Sequence, residues 1–374
     1  MLLTFVAFMA HVPESHAKLA RDAATCEQPS GLKERGRQID ACKRVIQAQG
    51  MSTRALAIAI YNRGGAIASS GDNARAITDF SEAIRLDPLF AQAFNGRGVS
   101  YRNQGQDSLA IADFEEALRL NPQFAEAFGN RGNVRMAQGS TALAIKDYDE
   151  GIRINPRSAA MFNNRGNAYR VSGDNSRALV DFDKAISLDQ KFAAAFNNRG
   201  LTYRAMNQID RAIEDYDEAV RLNPKLVAAR NNRGAAYVAK GDKKRGVSDY
   251  DKALNVNPRS AEAPNGRCWA RALSGLELEK ALADCDASLS IRPDNPATLD
   301  SRGLVHLRRA EWQFALADYD SALRINEHMT SALYGRGVAR FHLGELGEGR
   351  ADMAAAAARD AKIVKQFDAY RLSP

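Results

Sequence analysis

The chain has 374 residues and a net charge of +7, a moderate value, and its basic residues recur mostly beside acidic ones. No basic patch carries interleaved stacking aromatics, which argues against a nucleic-acid binder. A chain this long would ordinarily suggest two domains, but a fixed internal period makes it one elongated array.

Residues 1 to 10, MLLTFVAFMA, are apolar, and Ser15-His16-Ala17 has the small-x-small form of a cleavage site. The run is too short to span a bilayer, and no other segment of the chain could cross one. Residues 1–17 therefore resemble the hydrophobic part of a secretory signal that lacks its positive n-region, as if the true start lay upstream. The alternative is a fraying apolar terminus.

From residue 57 onward one pattern returns. Gly64, Gly98, Gly132, Gly166, Gly200 and Gly234 are spaced by 34 residues; Cys268 follows after 34, and Gly303 and Gly337 resume after one step of 35. In the unit around FNNRGNAY, Phe162, Gly166 and Tyr169 share one helical face, as do Ala178, Phe182 and Ala185. Gly173 stops the first helix, and Pro88, Pro122, Pro156, Pro224, Pro258 and Pro293 close the second. Each unit is thus predicted to be two short antiparallel helices, whose apolar stripes are buried only by stacking on neighbours.

The small residue at Gly166, with Tyr169, Ala178, Phe182, Ala185 and the terminal proline of other units, resembles the tetratricopeptide repeat. Nine units begin near Ala57, Ala91, Ala125, Ala159, Ala193, Val227, Ala261, Pro296 and Thr330, covering residues 57–363. The resemblance implies an all-α α-solenoid, a right-handed superhelix of antiparallel helix pairs whose concave side holds peptides. The carboxylate clamp of some members needs Lys or Arg three residues before the glycine. Here Tyr61, Asn95, Gly129, Asn163 and Asn197 stand there, which argues against a receptor for chaperone tails.

Residues 18–56 read as a degenerate N-terminal half-repeat or cap, with Cys42 at the place of Phe80 one unit later. A Cys26–Cys42 bridge would staple a terminal unit that has a single neighbour. Cys268 replaces the glycine of its unit and Cys285 the helix-B aromatic, positions that face each other in this family. For both pairs the alternative is reduced thiols packed as small apolar groups. Two bridges would favour export, into the periplasm, over the cytoplasm.

Every unit carries arginine before the glycine, from Arg63 through Arg336, and aspartate before the helix-B aromatic position, from Asp79 through Asp352. The family residue at the arginine is leucine. The pattern predicts a ladder of Arg–Asp pairs, within units or across their seams. A stripe gripping an acidic ligand is the other reading, which matched aspartates would neutralise.

In this family the groove is lined three residues before, one after and four after the glycine. Asn95, Arg102, Asn133, Asn163, Asn167, Arg170, Asn197, Arg204 and Asn231 fall there, and Asn265 extends the row. A second row, two before the glycine, includes Asn62, Asn130, Asn164, Asn198 and Asn232. Together they resemble the asparagine ladder inside O-linked N-acetylglucosamine transferase. An amide offers a donor and an acceptor at once, matching a peptide bond, and the arginines would attract carboxylates. On this reading Asn163→Ala with Asn197→Ala weakens partner capture and leaves the melting curve nearly unchanged. Otherwise the asparagines are solvated or cap loops.

Towards the C-terminus Asp300, Leu304, Leu307, Tyr334, Val338 and Phe341 make the groove more apolar, suited to a hydrophobic helix or a second subunit. Trp269 is expected to face inward as an anchor. Residues 360 to 371 read as a solvating helix with Ile363, Phe367 and Tyr370 on the last repeat, and residues 364–374 form the end of that cap.

Catalytic signals are missing. His11, His16, His306, His328 and His342 have no metal-ligand spacing, and Gly344–Gly349 carries two glutamates that would repel phosphate. The sequence therefore predicts a non-enzymatic scaffold, without cofactor or metal, that binds an extended peptide or partner protein. The alternative is a subunit of a cell-envelope assembly that docks through its apolar C-terminal repeats. Polysaccharide binding would call for groove aromatics, which are few.

Overall fold

A computed structural model describes residues 14–28, 31 and 34–372. The apolar opening stretch lies outside them. The chain forms two compact units, divided between Asp181 and Phe182.

In the first unit run α1 (Glu14–Glu27), α2 (Arg35–Gln47), α3 (Thr53–Ser69), α4 (Asn73–Leu86), α5 (Ala91–Asn103), α6 (Asp107–Leu120), α7 (Ala125–Ala137), α8 (Thr141–Ile154) and α9 (Ala159–Val171). The division falls inside α10 (Asn175–Leu188). The second unit continues with α11 (Ala193–Ala205), α12 (Ile209–Leu222), α13 (Val227–Ala239), α14 (Lys243–Val256), α15 (Glu262–Ser274) and α16 (Leu278–Ile291). It ends with α17 (Pro296–Arg308), α18 (Trp312–Ile325), α19 (Thr330–His342), α20 (Leu346–Arg359) and α21 (Lys362–Ala369). Among the described residues there are 21 helices and no strand, an all-α solenoid.

Each hairpin closes by two devices. Between the helices of a repeat, the residue just past the first helix turns through positive φ, joined in the α15/α16 pair by Glu277. That first residue is glycine in seven repeats, among them Gly71 and Gly173, and Asn207 and Ala310 in the other two. Between most repeats, the Asp or Asn before the proline accepts from the N–H two residues on, as Asp87 does from Leu89 and Asn223 from Lys225 (both 3.0 Å). The same turn forms at Asp189, Asn326 and Asp360, where no proline follows. An Asx turn needs only the carbonyl oxygen, so these degenerate units still turn. α3 opens four residues ahead of Ala57 because Ser52 caps it, its hydroxyl accepting from Ala55 N–H at 3.2 Å.

The core is built on the recurring glycine. A Cβ on Gly98, Gly132 or Gly200 would lie 2.7 Å from a ring atom of Phe114, Tyr148 or Tyr216 respectively. The helix-B aromatic therefore sits in the hollow that the missing side chain leaves, and these rings are fully buried. Two hairpins fill that hollow covalently. Disulfides join Cys26 to Cys42 and Cys268 to Cys285, at sequence separations of 16 and 17. Gly64 and Phe80 are also 16 apart. Both bridges thus take the place of a glycine–aromatic contact, one in the terminal pair α1/α2 and one in α15/α16.

Candidate functional site: the helix-A face

Within each unit the first helices of successive repeats touch: α3 with α5, α5 with α7, α7 with α9, then α11 with α13 through to α17 with α19. Among the described residues no such contact links α4, α6 and α8, or α12, α14, α16, α18 and α20. The helix-A face is therefore the tighter side of the stack, and the asparagine rows lie on it.

The amides are joined to each other. In the first unit Asn130 Nδ2 donates to Asn95 Oδ1 and Asn164 Nδ2 to Asn133 Oδ1, both at 3.0 Å. Asn133 Oδ1 also accepts from Tyr148 Oη at 2.8 Å, and Asn163 Nδ2 donates to Asn164 at 3.2 Å. In the second unit Asn232 Nδ2 donates to Asn197 Oδ1 at 2.8 Å, and Asn197 Nδ2 to Asn198 at 3.3 Å. Three of these bonds, Asn130 to Asn95, Asn164 to Asn133 and Asn232 to Asn197, cross the seams between repeats. An amide side chain can make four hydrogen bonds, so Asn95 and Asn130 keep donor and acceptor capacity after one.

The rows are not uniform. Asn163 and Asn197 are each only 7% exposed and belong to the seams as much as to a surface. Their burial makes them poor choices for separating capture from folding. Asn95, Asn133, Asn167, Asn231 and the arginines Arg102 and Arg170 are half-buried, and Arg204 is exposed. Arg170 donates to Asn167 Oδ1 at 2.8 Å. Asn231 Oδ1 and Asn265 Oδ1 are shielded and find no donor among the described residues.

The arginine before each glycine does not grip a free anion. Arg199 Nε and Nη2 meet Asp215 at 2.9 and 2.7 Å, a fork on the second helix of the same repeat. Its Nη1 reaches Asp183, on the second helix of the preceding repeat, at 2.6 Å. Arg165, Arg233, Arg302 and Arg336 repeat both bonds, to Asp181 and Asp149, Asp249 and Asp217, Asp318 and Asp286, and Asp352 and Asp320. Earlier in the array the seam partner differs: Ser81 accepts from Arg97 at 3.1 Å. The ladder thus runs within and between repeats. The hydrogen bond to the aspartate raises the pKa of each of these guanidinium groups. The second acceptor, two residues after the paired aspartate, was readable as the recurring Asp149, Asp183, Asp217, Asp251, Asp286 and Asp320.

The apolar end of the face is covered by the chain itself. Ile363 and Phe367 of α21 are buried against Tyr334 and Val338 of α19, with the Phe367 and Tyr334 ring centroids 4.6 Å apart. Tyr370 reaches back to Trp269 on α15, edge to face at 6.4 Å. Trp269 therefore meets an aromatic from its own chain. A small cavity beneath is lined by Asp300, Leu304, Ser331, Gln366, Phe367 and Tyr370, among others. Burial pushes the Asp300 carboxyl up to about 7, against one bond from Ser331 Oγ at 2.9 Å. Its signal in the sequence is an acid where five other units have asparagine.

A cleft of about 830 Å³ opens elsewhere in the second unit, at the turns of α13/α14 and α15/α16. Four of its cations are already engaged: Lys240 by Asp210, Arg245 by Asp242, Lys243 by the Leu273 carbonyl, and Arg271 by Asp284. Among the described residues no group of His, Cys, Asp or Glu could hold a metal, and no helix is long and apolar enough to cross a membrane.

Comparison with known proteins agrees with this geometry. A sequence profile of the TPR repeat matches residues 132–170, 166–206 and 200–241, and two profiles of the tetratricopeptide repeat match 66–125 and 227–260. The chain belongs to the tetratricopeptide repeat proteins, a family whose members typically act as non-catalytic scaffolds for protein–protein interaction. Among solved structures it is similar to the APC/C hetero-tetramer Cut9-Hcn1 (TM-score 0.62, 12% identity), covering 87% of this chain and 63% of that one. It is also similar to a tetratricopeptide repeat protein from Parabacteroides merdae (TM-score 0.54, 20% identity; 66% and 97% covered). A third is Pseudomonas aeruginosa PilF (TM-score 0.50, 18% identity; 57% and 97% covered). At these identities the likeness is one of fold. No curated protein matches the sequence.

Proposed function

We propose that the protein is a non-catalytic scaffold that holds an extended peptide, or an extended segment of a partner protein, on the asparagine and arginine rows of its helix-A face. The observation that carries this reading is the set of amides tied in register across the seams. Such side chains are already ordered, so a backbone laid along them costs less rotamer entropy on binding. Their spare donors and acceptors match those of a peptide bond. Arg102, Arg170 and Arg204 add attraction for carboxylates along the segment. The two disulfides support a place of action in an oxidising compartment, the periplasm, since such bonds persist there and are rare in the cytosol.

The test uses two members of the rows that are half-buried rather than buried. A library of extended peptides is displayed to the wild-type chain and to Asn95→Ala/Asn167→Ala. The variant is expected to lose about tenfold in affinity, the scale of one or two hydrogen bonds, with melting nearly unchanged. Unchanged binding would sink the reading. Salt-insensitive capture would remove the arginines from it.

A further inference from the structure

The wall formed by α15, α17 and α19 differs from the asparagine rows in both chemistry and occupancy. Trp269, Leu304, Tyr334 and Val338 make it apolar, and Ile363, Phe367, Tyr370 and Leu372 lie against it. That occupant is slight: α21 has 8 residues. It also leaves a buried acid with no cation beside it. Asp300 is buried beneath Phe367 and Tyr370, and among the described residues no ion pair reaches it. Arg308 points instead at the Leu273 carbonyl, 3.5 Å away. Gln366, the neighbour of Phe367, lines the same cavity as Asp300.

We infer that this wall is a docking surface for an amphipathic helix of a partner protein, one bearing two aromatics a turn apart and a lysine or arginine aimed at Asp300, and that α21 is its internal stand-in. The stand-in displays the required pattern, Ile363, Phe367 and Tyr370 on one face, but carries an amide where a cation would neutralise the acid. A partner with the cation adds a charge-assisted hydrogen bond to a carboxyl otherwise held by Ser331, which gives it the advantage over a tethered competitor. This surface is independent of the peptide-binding rows and stands whether or not they bind peptide.

The probes are labelled peptides of residues 360–372: the native sequence, a Gln366→Lys form and a Phe367→Ala/Tyr370→Ala form. The receptor is the full chain carrying Phe367→Ala/Tyr370→Ala, which loosens its own segment. The Gln366→Lys peptide is expected to bind about tenfold tighter than the native one. That margin should vanish when Asp300→Asn is added to the receptor, and the peptide without aromatics should not bind. Equal binding of all three peptides, or of none, overturns the inference. A native peptide that binds best would mean that the wall serves a second copy's α21, which also overturns it. Should the loosened receptor fail to fold, the wild-type chain is titrated with the Gln366→Lys peptide. Amide exchange in α21 should then accelerate while α19 stays protected, and an unchanged α21 refutes displacement.

Discussion

Arg199 joins three helices with one side chain, forking onto Asp215 and extending its third nitrogen to Asp183. The two contacts differ in worth because their surroundings differ. Asp215 is buried, whereas the side chain of Asp183 is 58% exposed. Arg199→Met leaves a buried carboxylate unpaired and is expected to cost roughly 1–3 kcal/mol, below the figure for a fully buried pair because the arginine is partly solvated. Asp183→Asn should cost less than about 1 kcal/mol. Urea titration followed by hydrogen exchange in α11 and α12 separates the two, and equal losses would contradict the geometry. Ala310 holds φ 57°, a conformation that strains any residue with a Cβ. Ala310→Gly should relieve that strain and raise stability by about 0.5–1 kcal/mol, read in the same titration.

Asp300 supplies the pH dependence at this scale. Unfolded, it ionises near the ordinary aspartate value of ~3.9; folded, it holds its proton up to about 7. Below the lower value the carboxyl is neutral in both states. As pH rises between the two, the unfolded chain releases the proton first, so stability falls and stays reduced above about 7. Asp300→Asn should therefore be nearly neutral at pH 4 and stabilising at pH 8, by roughly 1–3 kcal/mol. A variant that gains as much at pH 4 as at pH 8 would rule this out.

At the scale of the helix pair, the sequence made the hairpins legible because their grammar is local. Glycine before one helix end, an Asx residue before the next, and an aromatic facing a glycine all act within one repeat. The Arg–Asp pairing was legible as a pair, but not its geometry, since one spacing is compatible with contacts inside a repeat or across a seam. The bonds among the asparagines were hidden for the same reason: amide rotamers are set by neighbours some 30 residues away. The pair α15/α16 gives the sharpest test of the glycine–aromatic rule. Cys268→Gly/Cys285→Tyr should rebuild the usual contact and make hydrogen exchange in both helices insensitive to reductant. In the wild type, reduction should loosen them by about 2–4 kcal/mol. A rebuilt pair that stays frayed would show that its extra residue, and not the bridge, defines it.

Across the whole chain, the period announced the class of protein, and the family profiles agree with it. What the period conceals is the difference between one stretch and another. The terminal pair and α15/α16 are locked covalently, the middle repeats are tied by amides and arginine forks, and the last wall is closed over by its own tail. The return of Tyr370 to Trp269 spans 101 residues, and nothing in the spacing of either residue points to the other.

The arginine forks carry a last consequence. Because each guanidinium brings both the clasp for its own hairpin and the hook for the one before, a copied hairpin arrives with its own fastening. Splicing one more copy between α12 and α13, or excising one, should leave every junction satisfied. The length of this array is thus free to drift by whole units, while the cystine-bearing pair and the tail-covered end are positions where such drift would stop.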